Sequence, residues 1–337
     1  MRSPPPDLAP EQLAGVLADG WGLRAVSLDY VPEGGGGHHW VLTGAAGQRH
    51  FVTVDDLDSK PWLGTSRRAV FDGLRGALST AAALRDSGLP FVVAPIAARD
   101  GQPLRWAGHR YAASVFPFLA GRPHQFGPYA DERLRNQVLD MMAALHRATP
   151  AVRDSAPRHV LGFAGRADLD AFLLSPDQPW ESGPFAAAAH RLVAARAGDL
   201  RQLVTGFDRV AESTRLARAE VVITHGEPHP ANILSLAGGL VLIDWDTAAL
   251  APAERDIALI ATAGNAGADR YQQATGRELD PAVIGLYRLR WYLDDIASAV
   301  RLLRNSHRDT PDTTRWRQGL ARQLEQLPGW LDRLSDP

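Results

Sequence analysis

The sequence of 337 residues contains no cysteine. Disulfide bonds, zinc sites built on thiolates and cysteine nucleophiles are therefore excluded. Long apolar runs are also missing: no segment reaches the about 18 apolar residues that cross a membrane, and the proline-rich start does not form a signal peptide. The formal net charge is only −2, so the chain lacks the basic surface typical of a nucleic-acid-binding protein. We expect a cytoplasmic protein, a monomer or homodimer, with neither nucleic acid nor a membrane as its partner.

Lysine is nearly absent, because Lys60 is the only lysine among 36 basic residues and all the others are arginine. A Walker-type phosphate-binding loop requires glycine directly before its lysine, and Lys60 follows Ser59, so that motif is excluded. Glutamate is missing from residues 34–131 as well. A function that needs a lysine with a glutamate partner in this part of the chain must therefore rely on Lys60 or on substitutes.

Short apolar runs separated by glycine turns predict an antiparallel sheet in the first third of the chain. The predicted strands are residues 23–30, 40–42, 51–54, 91–96 and 110–119. Apolar residues at helical spacing predict helices over residues 67–86, 133–149 and 283–304. Since domains usually contain about 100–200 residues, we predict an α+β fold with two lobes, a small lobe of residues 1–120 and a mainly helical lobe of residues 121–337.

The most informative segment is HGEPHPAN, residues 225–232, called the catalytic loop below. Its two prolines prevent a helix. It contains the carboxylate of Glu227 and the amide of Asn232, and Asp244 follows 12 residues after Asn232, at the end of a predicted strand. Phosphoryl transfer from ATP requires a carboxylate that orients the attacking hydroxyl and oxygen ligands for Mg²⁺. The residue types and their order therefore match a phosphotransferase site.

The sequence resembles the aminoglycoside phosphotransferase family of kinase-like enzymes, and especially its spectinomycin phosphotransferase-like branch. HGEPHPANIL stands where the family has His-Gly-Asp and then an asparagine, with glutamate in place of the aspartate. IDWDTAALAPAERDIALI resembles the metal-site segment, AALHRAT the helix before the catalytic loop, and FPFLAGRP stands at the hinge between lobes. The resemblance implies a bilobal, protein-kinase-like fold whose N-terminal lobe binds the nucleotide.

The resemblance also implies the chemistry: ATP or another nucleoside triphosphate, with Mg²⁺, phosphorylates a hydroxyl of a small polar molecule similar to an aminoglycoside or aminocyclitol. Glu227 takes the position of the catalytic base. Asn232 and Asp244 take the magnesium positions, and Asp246 that of a second metal ligand or a substrate contact. His225 would brace the catalytic loop by hydrogen bonding.

The implied nucleotide site departs from the family pattern. Thr53 stands where the third strand of kinase-like folds has a lysine. Lys60 lies about 20 Å further along an extended chain, so it serves only if the segment of residues 55–64 folds back; otherwise it is an exposed residue in a turn. Arg67 and Arg68 are alternative phosphate ligands. The partner glutamate of the helix is also missing, and Asp72 is its nearest acidic substitute.

Two further parts of the implied nucleotide site come from glycines and aromatic residues. Gly35 and Gly36 belong to GGGG, residues 34–37, which is either a phosphate-binding loop or a flexible hairpin turn, because it does not complete Gly-x-Gly-x-x-Gly. Phe116 and Phe118 lie in the hinge segment, where the resemblance implies contact with the nucleotide. The sequence leaves both interpretations of the glycine run open.

Two other functions compete with phosphoryl transfer. Metal-dependent hydrolysis with ligands from the catalytic loop is disfavoured, because histidine pairs four residues apart usually depend on a helix. A catalytically silent kinase-like protein that binds nucleotide or a small molecule would explain the missing lysine and glutamate. Compared with the aspartate of the family motif, Glu227 keeps a carboxylate and places it about 1.5 Å further from the backbone. This change alters the geometry of the site without removing its base.

The acceptor is the least defined part of the predicted reaction. Asp294 and Asp295, beside the apolar seam of the long helix, either contact a cationic amino sugar or cyclitol or pair with nearby arginines on a solvated face. The sequence does not decide between these two interpretations.

Overall fold

A computed structural model describes residues 1–214, 220–261 and 267–335. Its internal contacts divide the chain into two units. Unit 1 comprises Met1–His159 and Ala219–Pro281, and unit 2 comprises Val160–Arg218 and Ala282–Pro337. The lobe boundary at residue 120 rests on the sequence pattern and stays a prediction.

The helices and strands are numbered in chain order. The α-helices of the described residues are α1 Pro10–Trp21, α2 Arg67–Asp86, α3 Glu132–Arg147, α4 Arg166–Leu174, α5 Ala186–Ala194, α6 Ala197–Ser213, α7 Glu254–Ile260, α8 Ala268–Thr275, α9 Pro281–Arg304 and α10 Pro311–Ser335. The strands are β1 Ala25–Val31, β2 His38–Gly44, β3 Arg49–Asp56, β4 Leu104–Ala107, β5 Tyr111–Pro117, β6 Arg122–Pro123, β7 Val221–Thr224, β8 Ile233–Leu236, β9 Gly239–Leu242 and β10 Ala249–Pro252.

A five-stranded antiparallel sheet, in the order β1-β2-β3-β5-β4, forms the N-terminal part of unit 1. Successive residues of a strand point to opposite faces, and each face has its own core. Val52 and Val54 of β3 belong to the cluster that contains Leu13 and Leu17 of α1. The other cluster contains Leu74 and further apolar residues of α2. The face that carries Val52 and Val54 is therefore covered by α1, and the opposite side of β3 carries Thr53 and Asp55.

The predicted helix over residues 67–86 is confirmed as α2, and the side-chain oxygen of Ser66 accepts a hydrogen bond from the backbone N–H of Ala69 at its start. The predicted strand over residues 91–96 is wrong. This segment makes an isolated parallel bridge between Val92 and Leu242. Proline at positions 90 and 95 removes backbone donors, which limits a longer ladder. Helix α1 and the short strand β4 were not predicted.

The remainder of unit 1 contains two small sheets and three helices. Strands β6, β8 and β9 form one sheet, and β7 and β10 form the other. Helix α3 packs against β7, α7 and α8, and the catalytic loop connects β7 to β8. The predicted α+β class, with an antiparallel sheet followed by a mainly helical part, is confirmed.

Unit 2 is a helical unit built from α4, α5, α6, α9 and α10 around one apolar core. The seam predicted for the long helix is buried there, namely Leu286, Leu289, Leu293, Ile296, Val300 and Leu303. Among the described residues, no helix has the length and apolarity needed to span a membrane.

The two acidic residues considered for acceptor binding make contacts within unit 2. The carboxylate of Asp294 accepts a hydrogen bond from the backbone N–H of Ala164 and lies 3.6 Å from the guanidinium of Arg290. The carboxylate of Asp295 accepts a 2.7 Å hydrogen bond from the side-chain amide of Gln323 on α10. Asp294 therefore pairs with an arginine, as one of the two interpretations predicts, whereas Asp295 connects two helices.

Asp295 gives a prediction for the pH dependence of stability. Burial raises its pKa to about 6, with the charge of Asp294 adding to the shift and the Gln323 hydrogen bond opposing it. Since an aspartate of the unfolded chain has a pKa of about 3.9, the folded state binds this proton more tightly, and stability falls as pH rises from about 4 to 6. Asp295→Asn retains an acceptor for Gln323 and cannot ionise, so it should raise the melting temperature at pH 8.

The measurement is thermal unfolding of wild type and Asp295→Asn from pH 5 to pH 8. The advantage of the variant, about 1–3 kcal/mol at pH 8, should shrink towards pH 5. Asp332→Asn, an exposed position on α10, is the control and should not change this dependence. A constant difference across the range would contradict the prediction.

Candidate active site

The catalytic loop begins at the end of β7 and requires glycine at its second residue. Gly226 has a φ of 97°, which L side chains rarely adopt. A Cβ atom at this position would lie 2.2 Å from a guanidinium nitrogen of Arg255. The guanidinium of Arg255 is fixed there, because it donates to the hydroxyl of Thr224 and to the backbone carbonyl of Thr247.

A buried aspartate at the start of α7 holds the same loop. Asp256 has no exposed surface. Its carboxylate accepts hydrogen bonds from the backbone N–H groups of His225 at 2.9 Å and Gly226 at 2.6 Å, and from the ring Nε2 of His146 at 3.0 Å. Although burial raises the pKa of Asp256, the hydrogen bond and charge of His146 outweigh it and lower the pKa overall. Asp256 is therefore an anionic anchor for the loop, a role that the sequence reasoning did not assign.

His225 braces the catalytic loop from within. Its Nε2 donates to the backbone carbonyl of Ile243 at 2.9 Å, and its Nδ1 accepts from the backbone N–H of Glu227 at 3.1 Å. Burial lowers its pKa to about 4, so the ring is neutral at physiological pH. These are the contacts of a brace, in line with the role that the resemblance implies.

Hydrogen bonds fix the backbone on both sides of the Glu227 side chain. The carbonyl oxygen of Glu227 accepts from the side-chain amide of Asn232 at 2.9 Å and from the backbone N–H of His229 at 2.8 Å. The carbonyl of Pro228 accepts from the hydroxyl of Tyr129. The Glu227 carboxylate itself is partly exposed and lies 4.0 Å from Nε2 of His229. A carboxylate on a fixed backbone, accessible to solvent, has the features of a general base.

Asn232 and Asp244 provide oxygen atoms next to this loop. The backbone N–H of Ile243 donates to the carbonyl of Asn232 at 3.0 Å, which ties the segment before Asp244 to the catalytic loop. Asp244 has a φ of 67° and is, in the described part of the chain, the one residue other than glycine with positive φ. Aspartate tolerates this conformation better than most residues, and such strain clusters at functional sites.

The surroundings of Asp244 suit a cation. Asp244 is exposed to solvent, and charged side chains of unit 1 surround its carboxylate. Loss of hydration raises its pKa well above the usual value, the carboxylates of Asp246 and Glu227 raise it further, and Lys60 opposes them. Within residues 1–214, 220–261 and 267–335, no group of three His, Cys, Asp or Glu side chains could hold a metal ion by itself. Mg²⁺ fits these residues if water and phosphate oxygens complete its shell, which is its usual mode of binding.

The sole lysine folds back into this site. Nζ of Lys60 lies 2.5 Å from Oδ2 of Asp246 and 3.0 Å from Oδ1 of Asp55, and the residue is 1% exposed. Although burial alone would lower the pKa of Lys60, Asp246 and Asp55 raise it well above the usual value, so the side chain is a charged ammonium. The interpretation of Lys60 as an exposed turn residue is wrong, and the alternative, that residues 55–64 fold back, is correct.

The glycine run and Thr53 lie near Lys60. A Cβ atom on Gly36 would be 3.8 Å from Nζ of Lys60, and one on Gly37 would be 3.2 Å from the methyl group of Thr53. Gly35 belongs to the same turn, between β1 and β2. The turn, β3 and the lysine therefore meet, although they are separated in sequence.

The other candidate cations and the candidate acid make contacts elsewhere. Arg67 donates to the carboxylate of Asp58, both on exposed surface, and Arg68 donates to the carboxylate of Asp72, which is partly exposed. Asp72 also pairs with Arg75 at 3.0 Å. Asp72 is therefore not the partner of the lysine, and the suggestion that it replaces the helix glutamate is wrong. The sequence analysis missed Asp55, which contacts Lys60 instead.

The two aromatic residues of the hinge segment lie at the end of β5. Phe116 is paired with Phe51 of β3 and packs against the apolar cluster on the α2 side. Phe118 follows β5, and the guanidinium of Arg49 lies 3.6 Å from the centre of its ring. Their contact with a nucleotide stays a prediction.

Comparisons with known proteins agree with the fold and the motifs. Residues 40–292 match the phosphotransferase enzyme family. Protein StrN of Streptomyces griseus is 29% identical over 275 residues, which are 78% of this chain and 81% of that protein. A spectinomycin phosphotransferase solved with ADP and spectinomycin has a TM-score of 0.70 at 17% identity, covering 96% of this chain and 99% of the other. A microcompartment-associated aminopropanol kinase has a TM-score of 0.61 at 14% identity, covering 96% and 97%.

These matches confirm two expectations from the sequence. The family match confirms the resemblance to the aminoglycoside phosphotransferases. The structural likeness confirms the kinase-like fold, and at these identities it concerns the fold alone.

The anchor at Asp256 gives a prediction about stability. In Asp256→Asn, one carboxylate oxygen becomes an NH₂ group. This group cannot accept the hydrogen bonds that N–H donors now make to that oxygen. Removing one partner of a buried charged network costs about 3 kcal/mol or more, so the free energy of unfolding should fall by about that amount. Urea unfolding measures it, with Asp269→Asn on exposed surface of α8 as the control. Equal stability of the two variants would contradict the role of Asp256 as an anchor.

Proposed function

This chain belongs to the phosphotransferase enzyme family, and from that premise we propose that it transfers the γ-phosphate of ATP to a hydroxyl of a small polar molecule. The observation that carries the proposal is the buried ammonium of Lys60. It lies beside the glycine turn and 2.5 Å from the carboxylate of Asp246. A positive charge next to a glycine turn and a metal-binding segment is what the phosphates of a nucleotide require. Lys60 thus takes over the role that Thr53 cannot perform.

In the proposed reaction, Glu227 accepts the proton of the acceptor hydroxyl. Its backbone is fixed by Asn232 and by the brace of His225, so the carboxylate is held in one place while its oxygens remain accessible. Such positioning is the main contribution of the protein in phosphoryl transfer. Asn232 and Asp244 would hold Mg²⁺, which would neutralise the charge of the nucleotide phosphates. The carboxylate of Asp246 accepts a hydrogen bond from Nζ of Lys60 and so helps to hold the ammonium in place.

The acceptor is a small hydroxyl compound of the aminocyclitol or aminoglycoside kind. The resemblance of the motif segments to the spectinomycin phosphotransferase-like branch supports this class, and the spectinomycin bound to one structure of the same fold is an example of it. The contacts of Asp294 and Asp295 within unit 2 give this assignment no separate support.

Nucleotide binding is tested by thermal unfolding with ATP, ADP or GTP, each with and without Mg²⁺. A nucleotide at a hundred times its dissociation constant stabilises by about 2.7 kcal/mol, or roughly 4 °C in melting temperature for a chain of this length. We expect this shift to depend on Mg²⁺ and to be lost in Asp244→Asn. Asparagine is the suitable replacement because it tolerates the positive φ of this residue. No shift with any nucleotide would overturn the proposal.

The catalytic base is tested with Glu227→Gln, which keeps the size of the side chain and removes its basicity. ADP formation is measured with ATP, Mg²⁺ and a panel of aminocyclitols, aminoglycosides and amino alcohols. Loss of a general base should lower the rate by about a hundredfold or more while the nucleotide-dependent melting shift persists. Glu325→Gln, an exposed control on α10, should leave the rate unchanged. Undiminished transfer would exclude Glu227 as the base, and nucleotide binding without transfer to any acceptor would favour the catalytically silent alternative.

A further inference from the structure

We propose that Asp55 positions the phosphate-binding ammonium of Lys60 and thereby replaces the helix glutamate that kinase-like folds pair with their strand lysine. The inference rests on the proposed function, because it takes the ligand of Lys60 to be a nucleotide phosphate. Asp55, Lys60 and Asp246 are called the lysine clamp below. In this clamp β3 supplies the carboxylate of Asp55, and the loop that follows β3 supplies Lys60.

The burial and contacts of the lysine clamp support this arrangement. The side chains of Lys60 and Asp55 are 2% and 6% exposed, and the carboxylates of Asp55 and Asp246 approach Nζ from two different segments of unit 1. Buried charges that lack a partner are strongly unfavourable, so each carboxylate restricts where the ammonium can lie. The position of Nζ is therefore determined by two side chains rather than by the backbone of Lys60.

The register of β3 explains why Asp55 can do this. Residues two apart in a strand point to the same face, so Asp55 lies on the face that carries Thr53. Val52 and Val54 point to the opposite face, into the core covered by α1. Thr53 occupies the position where the resemblance places the lysine of related folds. Asp55 therefore draws the ammonium of Lys60 back to the strand face on which a lysine is missing.

A lysine in a loop needs a carboxylate partner more than a lysine in a strand does. The lysine side chain has a flexible four-carbon stem, and ordering it costs about 1.5–2 kcal/mol of rotamer entropy. Residues 57–64 lie between β3 and α2, outside the ladder of the sheet. The contacts between the side chains of the lysine clamp restrict the position of the Lys60 ammonium, which the backbone of a strand would otherwise help to do.

The lysine clamp leaves one N–H donor of the ammonium for a phosphate oxygen. An ammonium group has three N–H donors, and the two carboxylates account for two of them. The glycine turn lies close by, because a Cβ atom placed on Gly36 would be only 3.8 Å from Nζ. The third donor can serve an α- or β-phosphate oxygen beside this turn, so Asp55 and the nucleotide do not compete for Lys60.

The test separates phosphate recognition from general damage to the fold. Affinities for Mg-ADP and for adenosine are measured by calorimetry on wild type, Asp55→Asn, Lys60→Met and the double variant. We expect each single variant to lose tenfold or more in Mg-ADP affinity, with adenosine affinity unchanged within twofold. The double variant should bind Mg-ADP no more weakly than Lys60→Met alone, because Asp55 acts through Lys60. Asp72→Asn, which removes a partly exposed carboxylate on α2 that pairs with Arg68 and Arg75, is the control and should match wild type.

The outcomes distinguish the lysine clamp from the proposed function. If Lys60→Met weakens Mg-ADP binding and Asp55→Asn does not, or if the two losses multiply in the double variant, the lysine clamp is wrong and the phosphotransferase proposal stands. If wild type binds neither ligand, both proposals fall.

A second variant covers the case in which Asp55→Asn does not fold. Asp55→Glu keeps the charge and moves the carboxylate by one methylene, so it should displace the ammonium and weaken Mg-ADP binding several-fold without affecting adenosine. Mg-ADP affinity equal to wild type in Asp55→Glu would overturn the positioning role of Asp55.

Discussion

The buried ammonium of Lys60 is the constraint on which the candidate site depends. A charged lysine with 1% exposure is tolerated only because two carboxylates surround it, and loss of either would leave an uncompensated charge in the interior. The same contacts fix three parts of unit 1 together, namely β3 through Asp55, the loop of residues 57–64, and the segment after β9 through Asp246. The electrostatic requirement of the Lys60 side chain thus holds these three parts of the candidate site in place.

The catalytic loop is held by a separate set of interactions. Asp256 accepts hydrogen bonds from two of its backbone N–H groups, and His225 links it to Ile243, whose neighbour Asp244 belongs to the proposed metal site. These anchors restrain the backbone and leave the Glu227 carboxylate partly exposed. The two parts of the candidate site therefore differ in kind, since ionic contacts position the proposed phosphate-binding group and backbone hydrogen bonds position the proposed base.

The sequence predicted what local pattern and motif order determine. The period of apolar residues identified α2 and the long helix α9, and the order of Glu227, Asn232 and Asp244 pointed to two segments that the structure joins through the hydrogen bond from the N–H of Ile243 to the carbonyl of Asn232. It could not identify the partner of Lys60, because Asp246 lies 186 residues further along the chain and nothing in the spacing of residues 55–64 shows that the loop folds back. Asp72 was the reasonable local candidate, yet two neighbouring arginines on the same helix neutralise it. The prediction of a strand over residues 91–96 is wrong for another reason. The apolar composition of this segment fits a strand, but Pro90 and Pro95 restrict its pairing to a single bridge.

The two departures from the family motif have the same physical character under the proposed function. In each, the functional group is retained but its connection to the backbone differs: the ammonium comes from a loop instead of β3, and the carboxylate stands one methylene further from the backbone of the catalytic loop. Phosphoryl transfer depends on where charges and oxygen atoms lie in space and not on which backbone position carries them. For Lys60, the carboxylates of Asp55 and Asp246 supply the correction. For Glu227, hydrogen bonds from Asn232, to His225 and between Tyr129 and Pro228 hold the backbone. The extra methylene must therefore be accommodated by the conformation of the Glu227 side chain. A substitution in a motif therefore argues for loss of function only when no neighbouring group can restore the geometry.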